Sequence, residues 1–146
     1  MKETTVLNIR AASSENAEVI NIPLYSSRPA AGFPAPGDDL VEKSLDLNDL
    51  LIDNPTATFF VKVEGDSMEG AKIFSGDVLV VDRSVTPSSG HIVVAAVYGE
   101  MVVKRLIITG KDSRLVSENA GYEPIVLTSN DECFIWGVVI GSARVF

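Results

Sequence analysis

From Thr58 to Val145 the chain is a succession of short runs rich in Val, Ile and Phe, each closed by turn residues. Few folds accommodate such a pattern. The runs read as strands at Thr58 to Glu64, Asp77 to Asp82, His91 to Tyr98, Met101 to Thr109, Arg114 to Ser117, Ile125 to Leu127 and Phe134 to Val145. Between them stand Ser75-Gly76-Asp77, Pro87-Ser88-Ser89-Gly90, Tyr98-Gly99-Glu100 and Gly110-Lys111-Asp112, all turn chemistry. Tyr98-Gly99-Glu100 joins two apolar runs and predicts a tight hairpin. Many short strands with regular turns give a mostly β fold of compact antiparallel sheets, closing partly into a barrel.

The first third of the chain reads differently. Over residues 1 to 31, Val6, Ile9, Val19, Ile20, Ile22, Leu24 and Tyr25 are scattered without a sustained period, leaving an extended N-terminal arm with a short strand near Val19 to Leu24. Ser26 to Gly37 carries three prolines and two glycines in twelve residues, which excludes a helix and a strand interior. Such a stretch is extended and accessible, as a linker or a protease substrate is. Asp38-Asp39 can then cap a helix through Leu40, Val41, Ser44, Leu45, Leu47, Leu50 and Leu51, ended by Asn54-Pro55. Asp46-Leu47-Asn48 offers a second cap and a break.

Composition removes several functions. A net charge of −8 argues against a general phosphate-binding surface and against sequence-specific DNA binding. One cysteine, Cys133, and one histidine, His91, leave no disulfide and no zinc site. No cofactor or metal is expected, since Gly65-Asp66-Ser67-Met68-Glu69-Gly70 lacks the ending of a phosphate loop. The N-terminus has no apolar signal region and no run approaches a membrane span, so a soluble, cytoplasmic protein without membrane contact is expected.

Two residues carry the candidate chemistry. Ser67 follows Gly65-Asp66 at the end of the first strong strand, where the backbone can bend and present a hydroxyl; alone, this is an ordinary turn. Lys104 lies inside the apolar run Met101 to Ile108, on one strand face with Val102 and Leu106. An ammonium held among apolar groups without a carboxylate partner has its charged form disfavoured, and the neutral amine can act as general base to a hydroxyl. The plainer alternative is a lysine that snorkels to water over its apolar stem. A Ser-His-Asp triad would need His91, which follows Gly90 at a strand start and reads as a solvated side chain. The carboxylate pairs Asp38-Asp39 and Asp131-Glu132 fall at caps and turns.

Several ordered segments together resemble the LexA/UmuD group of self-cleaving Ser-Lys peptidases (S24). They are Gly32-Phe33-Pro34, Leu45-Asp46-Leu47-Asn48, Ala57 to Lys62, Gly65-Asp66-Ser67-Met68, Ser75-Gly76-Asp77, Val102 to Leu106 and Trp136 to Ile140. The resemblance implies a fold of the LexA C-terminal-domain type with a short helix before the first core strand. It implies Ser67 as nucleophile and Lys104, 37 residues later, as general base, with self-cleavage between Ala31 and Gly32. Backbone N–H groups of Asp66 and Ser67 would hold the oxyanion, and Met68 would support the turn by packing. Residues 1–31 would be the arm removed, and 32–146 the peptidase and dimerisation domain. The implied partners are a second copy, a RecA–single-stranded DNA filament that stimulates cleavage in the SOS response, and a UmuC-like Y-family translesion polymerase. A catalytically silent dimerisation module is the competing reading. Val102 departs from the family, which often has there a threonine whose hydroxyl orients the amine.

Overall fold

Residues 2–11, 20–25, 41–128 and 132–146 are described by the computed structural model. The chain forms two units, Met1–Ala12 with Asn54–Phe146, and Ser13–Asp53. The strands are β1 (Thr5–Ala11), β2 (Ile22–Tyr25), β3 (Val41–Leu45), β4 (Thr58–Glu64), β5 (Val78–Asp82), β6 (Ile92–Val97), β7 (Glu100–Thr109), β8 (Asp112–Val116), β9 (Ile125–Leu127) and β10 (Cys133–Ala143), with one short helix, α1 (Leu47–Leu51). Among the described residues no helix is long and apolar enough to cross a membrane.

In the larger unit the order is β1-β4-β5-β10-β6-β7, and β1 pairs again with β7. Six antiparallel strands therefore close into a ring, and β8 and β9 extend the sheet beyond β7. The expected mostly β fold is the one observed. β7 shows how sequence alternation serves it: Val103 joins a core cluster with Val61, Val63, Met68, Leu79, Val81 and Val94. Val102 and Leu106 join a second cluster on the other face, with Val93, Ala95, Leu115 and Val138. Because side chains alternate along a strand, Lys104 shares the face of Val102 and Leu106. The Tyr98-Gly99 hairpin joins β6 to β7 with both central residues at positive φ, 48° and 82°, as a type I′ turn requires.

Two expectations need correction. Residues 5–11, expected to belong to an extended arm without a sustained strand pattern, form a barrel strand paired along β4 from Thr5↔Glu64 to Ala11↔Phe59. A bulge between Val6 and Asn8 shifts the register, so the two-residue alternation that reveals a strand is broken there. The helix expected from Leu40 to Leu51 is also shorter. Val41–Leu45 pairs with β2 as a strand, and only Leu47–Leu51 is helical. The second cap starts it: the Asp46 side chain accepts from Asn48 N–H at 2.8 Å. Asp38, Asp39, Leu40 and the Ser26 to Gly37 stretch lie outside the described residues.

Candidate active site

β4 ends at Gly65, whose φ of +110° is costly for any other residue. A side chain there would also collide with the neighbouring chain, since a Cβ would stand 2.1 Å from the Glu3 carbonyl oxygen. The turn continues through Asp66 to Ser67 and Met68, both fully buried. It is tied down from the segment after β8: Glu118 N–H donates to the Ser67 carbonyl at 2.8 Å, Gly70 N–H to the Glu118 carbonyl at 2.6 Å, and Asn119 Nδ2 to the Asp66 carbonyl at 2.8 Å. Met68 packs into the first core cluster while its carbonyl accepts from Ala71 and Ile73.

The Asp66 carboxylate accepts from the Tyr122 hydroxyl and from Lys2 N–H. Those bonds, Tyr122's first, hold it below the usual carboxylate range. Tyr122 is pushed up to about 12, by desolvation first and by its bond to Asp66 second.

Lys104 is 1% exposed, so it does not snorkel. Its Nζ donates to Ser117 Oγ at 2.6 Å, forms an ion pair with the Glu3 carboxylate and lies 5.7 Å from the centre of the Tyr122 ring. A carboxylate partner is therefore present where the sequence suggested none. Ser67 Oγ accepts from Thr4 N–H at 2.8 Å. Among the described residues no hydrogen bond joins Ser67 directly to Lys104; the consecutive residues Glu3 and Thr4 touch both.

One of the two donors assigned to an oxyanion is engaged as well, since Asp66 N–H donates to the Lys2 carbonyl at 2.8 Å. His91 takes no part: its Nδ1 accepts from Ser88 N–H at 3.0 Å within its own turn. Ala31 and Gly32, the expected cleavage bond, and Asp131 lie outside the described residues.

Sequence reasoning missed Glu3, Thr4, Ser117 and Tyr122. For Ser117 there was a signal. An ammonium carries three donors, and with valine at position 102 another group must accept one of them. For Glu3 and Thr4 there was none, because the bulge in β1 hid the strand that delivers them.

A closed antiparallel barrel with a buried serine on a glycine turn and a buried lysine on a nearby strand defines a protein of the LexA C-terminal-domain type. The chain belongs to the peptidase S24-like family, whose model matches residues 23–140, and is thus a peptidase-family protein of the serine kind. It is 41% identical to protein MucA of Salmonella typhimurium over 131 residues, 89% of each chain. It is 43% identical to protein SamA of Salmonella typhimurium over 117 residues, 80% of this chain and 81% of that one. To the LexA repressor of Acidithiobacillus ferrooxidans it is 38% identical over 148 residues, 99% of this chain and 70% of the repressor.

Proposed function

We propose that the chain is a self-cleaving serine peptidase in which Lys104 activates Ser67 to cut the Ala31–Gly32 bond. The observation that carries this reading is the burial of both groups at one site, with Ser67 on a locked glycine turn and the Lys104 amine held by Ser117. In the reactive state Lys104 is neutral and takes the Ser67 proton as Oγ attacks the Ala31 carbonyl carbon. Backbone N–H groups of Asp66 and Ser67 receive the developing oxyanion. The C–N bond breaks as the amine of Gly32 takes the proton from Lys104, and water then frees residues 1–31 from Ser67. The reaction belongs to the SOS response, a reading that the likeness to MucA, SamA and LexA supports. There a RecA–single-stranded DNA filament promotes cleavage, and the 32–146 product, a homodimer, serves as accessory subunit of a UmuC-like translesion polymerase.

The test follows the mass of the purified chain at neutral and alkaline pH, with and without activated RecA. Scission after Ala31, faster at alkaline pH and absent in Ser67→Ala and Lys104→Ala, is expected. Cleavage at that bond by Ser67→Ala would falsify the reading. The ion pair of Lys104 with Glu3 favours a second reading, a silent dimerisation module: a paired ammonium has no lone pair to offer a hydroxyl. An intact chain under every condition, with polymerase binding retained, selects it.

A further inference from the structure

The strand ring closes at its N-terminal segment, and that closure lies over the candidate active site. β1 meets β7 at the single pair Thr5↔Val102, two residues from Lys104, and meets β4 at Thr5↔Glu64, three residues from Ser67. Without it, β4 and β7 would border an open seam lined by the turn that carries Ser67 and by the strand that carries Lys104.

We propose that this seam is a strand-binding cleft whose resident ligand is the chain's own Lys2–Thr5 segment, which an incoming cleavage strand has to displace. The displacement half rests on Ser67 and Lys104 being the reacting pair; the occupancy half does not. The segment is bound in ligand fashion, through its backbone. Lys2 exchanges two hydrogen bonds with Asp66, its carbonyl accepting from Asp66 N–H at 2.8 Å and its N–H donating to Asp66 Oδ1 at 2.9 Å. The Thr4 carbonyl accepts from Val103 N–H at 3.0 Å, and Thr4 N–H donates to Ser67 Oγ. Two side chains add charge pairs, Glu3 with Lys104 and Lys2 with Glu64 at 2.7 Å. The Glu3 carbonyl fills the space that Gly65 leaves open.

Three groups that cleavage would use are thereby spoken for. Lys104 is paired, one oxyanion donor holds the Lys2 carbonyl, and Ser67 Oγ faces an N–H, which offers no carbon to attack. The segment is held and not cut. The resident strand is thus an extended peptide with a carboxylate side chain next to the residue whose N–H meets Ser67, and the Ser26 to Gly37 stretch that would displace it carries no carboxylate to pair with Lys104. One detail leaves this ligand short of its tightest fit: the fully buried Thr4 Oγ1 has no hydrogen-bond partner among the described residues. Burying an unpaired hydroxyl opposes binding, and an isosteric methyl removes that penalty.

The test uses the full chain. In a Ser67→Ala background, hydrogen exchange at the Asp66 and Val103 amides is compared with and without Glu3→Lys, which sets like charges against each other at Lys104. Exchange at both is expected to quicken at least tenfold while the Val94 amide in β6 is unchanged; unchanged exchange at Asp66 and Val103 overturns the occupancy. With Ser67 restored, Glu3→Lys is expected to raise the rate of scission after Ala31 at least fivefold and Thr4→Val to lower it. Equal rates in all three chains, with the Asp66 and Val103 amides freed in Glu3→Lys, overturn the displacement. No scission in any chain at alkaline pH or with activated RecA overturns displacement and self-cleavage together, and leaves the exchange result to decide occupancy alone.

Discussion

The chemistry of Lys104 is set by what surrounds its three donors. Glu3 and Ser117 contact the ammonium, and Tyr122 presents its ring. If Glu3 is displaced as proposed, Ser117 is the hydrogen-bond acceptor among the described contacts that would remain to aim the amine. Removing that hydroxyl is expected to slow self-cleavage roughly tenfold, the worth of about 1.4 kcal/mol in a barrier. Ser117→Ala should show the loss in cleavage time courses, and Ser117→Thr should recover it with an unchanged unfolding midpoint. Gly65 is equally specific. A methyl there meets the Glu3 carbonyl and demands a strained φ, so Gly65→Ala is expected to cost at least ~2 kcal/mol in urea unfolding. Tyr122 carries a pH signature. Its folded-state value, raised to about 12, lies above the ordinary phenol near 10, so the stabilisation is fully present below about 10 and is lost as pH rises through about 12. The Ser67 turn should therefore persist through the alkaline range in which the proposed self-cleavage is expected to be faster. Ultraviolet titration against Tyr122→Phe checks this, and a phenol titrating near 10 in the folded chain would contradict it.

At the level of elements, sequence legibility followed the period of the pattern. β4 and β9 were read to the residue and the other strands beyond Thr58 to within two, because unbroken alternation or a continuous apolar run bounded by glycine has one common solution. β1 was missed where a bulge breaks the alternation. β3 was read as helix because Val41, Leu45 and Ser44 fit three- and four-residue spacings as well as a five-residue strand. In the site, Ser67 and Lys104 were legible, since a serine after Gly-Asp and a lysine inside an apolar strand are conspicuous. Glu3 was not, since the strand that delivers it was hidden, and Ser117, beside the hairpin partner of β7, was missed although the ammonium's donors called for an acceptor. β8 gives a test of the second core cluster. Leu115 is fully buried between β7 and β9, and Leu115→Ala is expected to cost ~2–5 kcal/mol in urea unfolding. A loss below about 1 kcal/mol would mean that the cluster does not support the sheet.

At the scale of the whole molecule, a charged tie away from the candidate site also joins distant parts of the chain. Arg144, just past β10, grips Asp77 in the turn before β5 with Nε at 2.7 Å and Nη2 at 2.8 Å, and Phe74 N–H adds a third bond at 2.9 Å. The Arg144 bond first, then the backbone N–H, outweigh burial and hold the Asp77 carboxyl below its usual range. The stability it contributes is present above about pH 4 and is lost as pH falls through the lowered value. Arg144 is more than a third exposed, which screens the pair, so Arg144→Met is expected to cost only ~1 kcal/mol near neutral pH. Unfolding midpoints measured from pH ~7 to ~2 should converge for wild type and Arg144→Met at the acid end, where both lack the charged Asp77.

The closure of the ring by β1 has a sequel. The bond proposed for cleavage lies after β1 in the chain, so cutting there releases the strand that completes the barrel. Residues 32–146 would keep five of the six staves, with β4 and the first half of β7, short of its pairing with β8, turned into free edges whose N–H and C=O groups await a partner. Such a product is adhesive by construction. The same cut that ends the precursor's self-sufficiency would give its successor two open margins, each shaped to accept an extended segment of another chain.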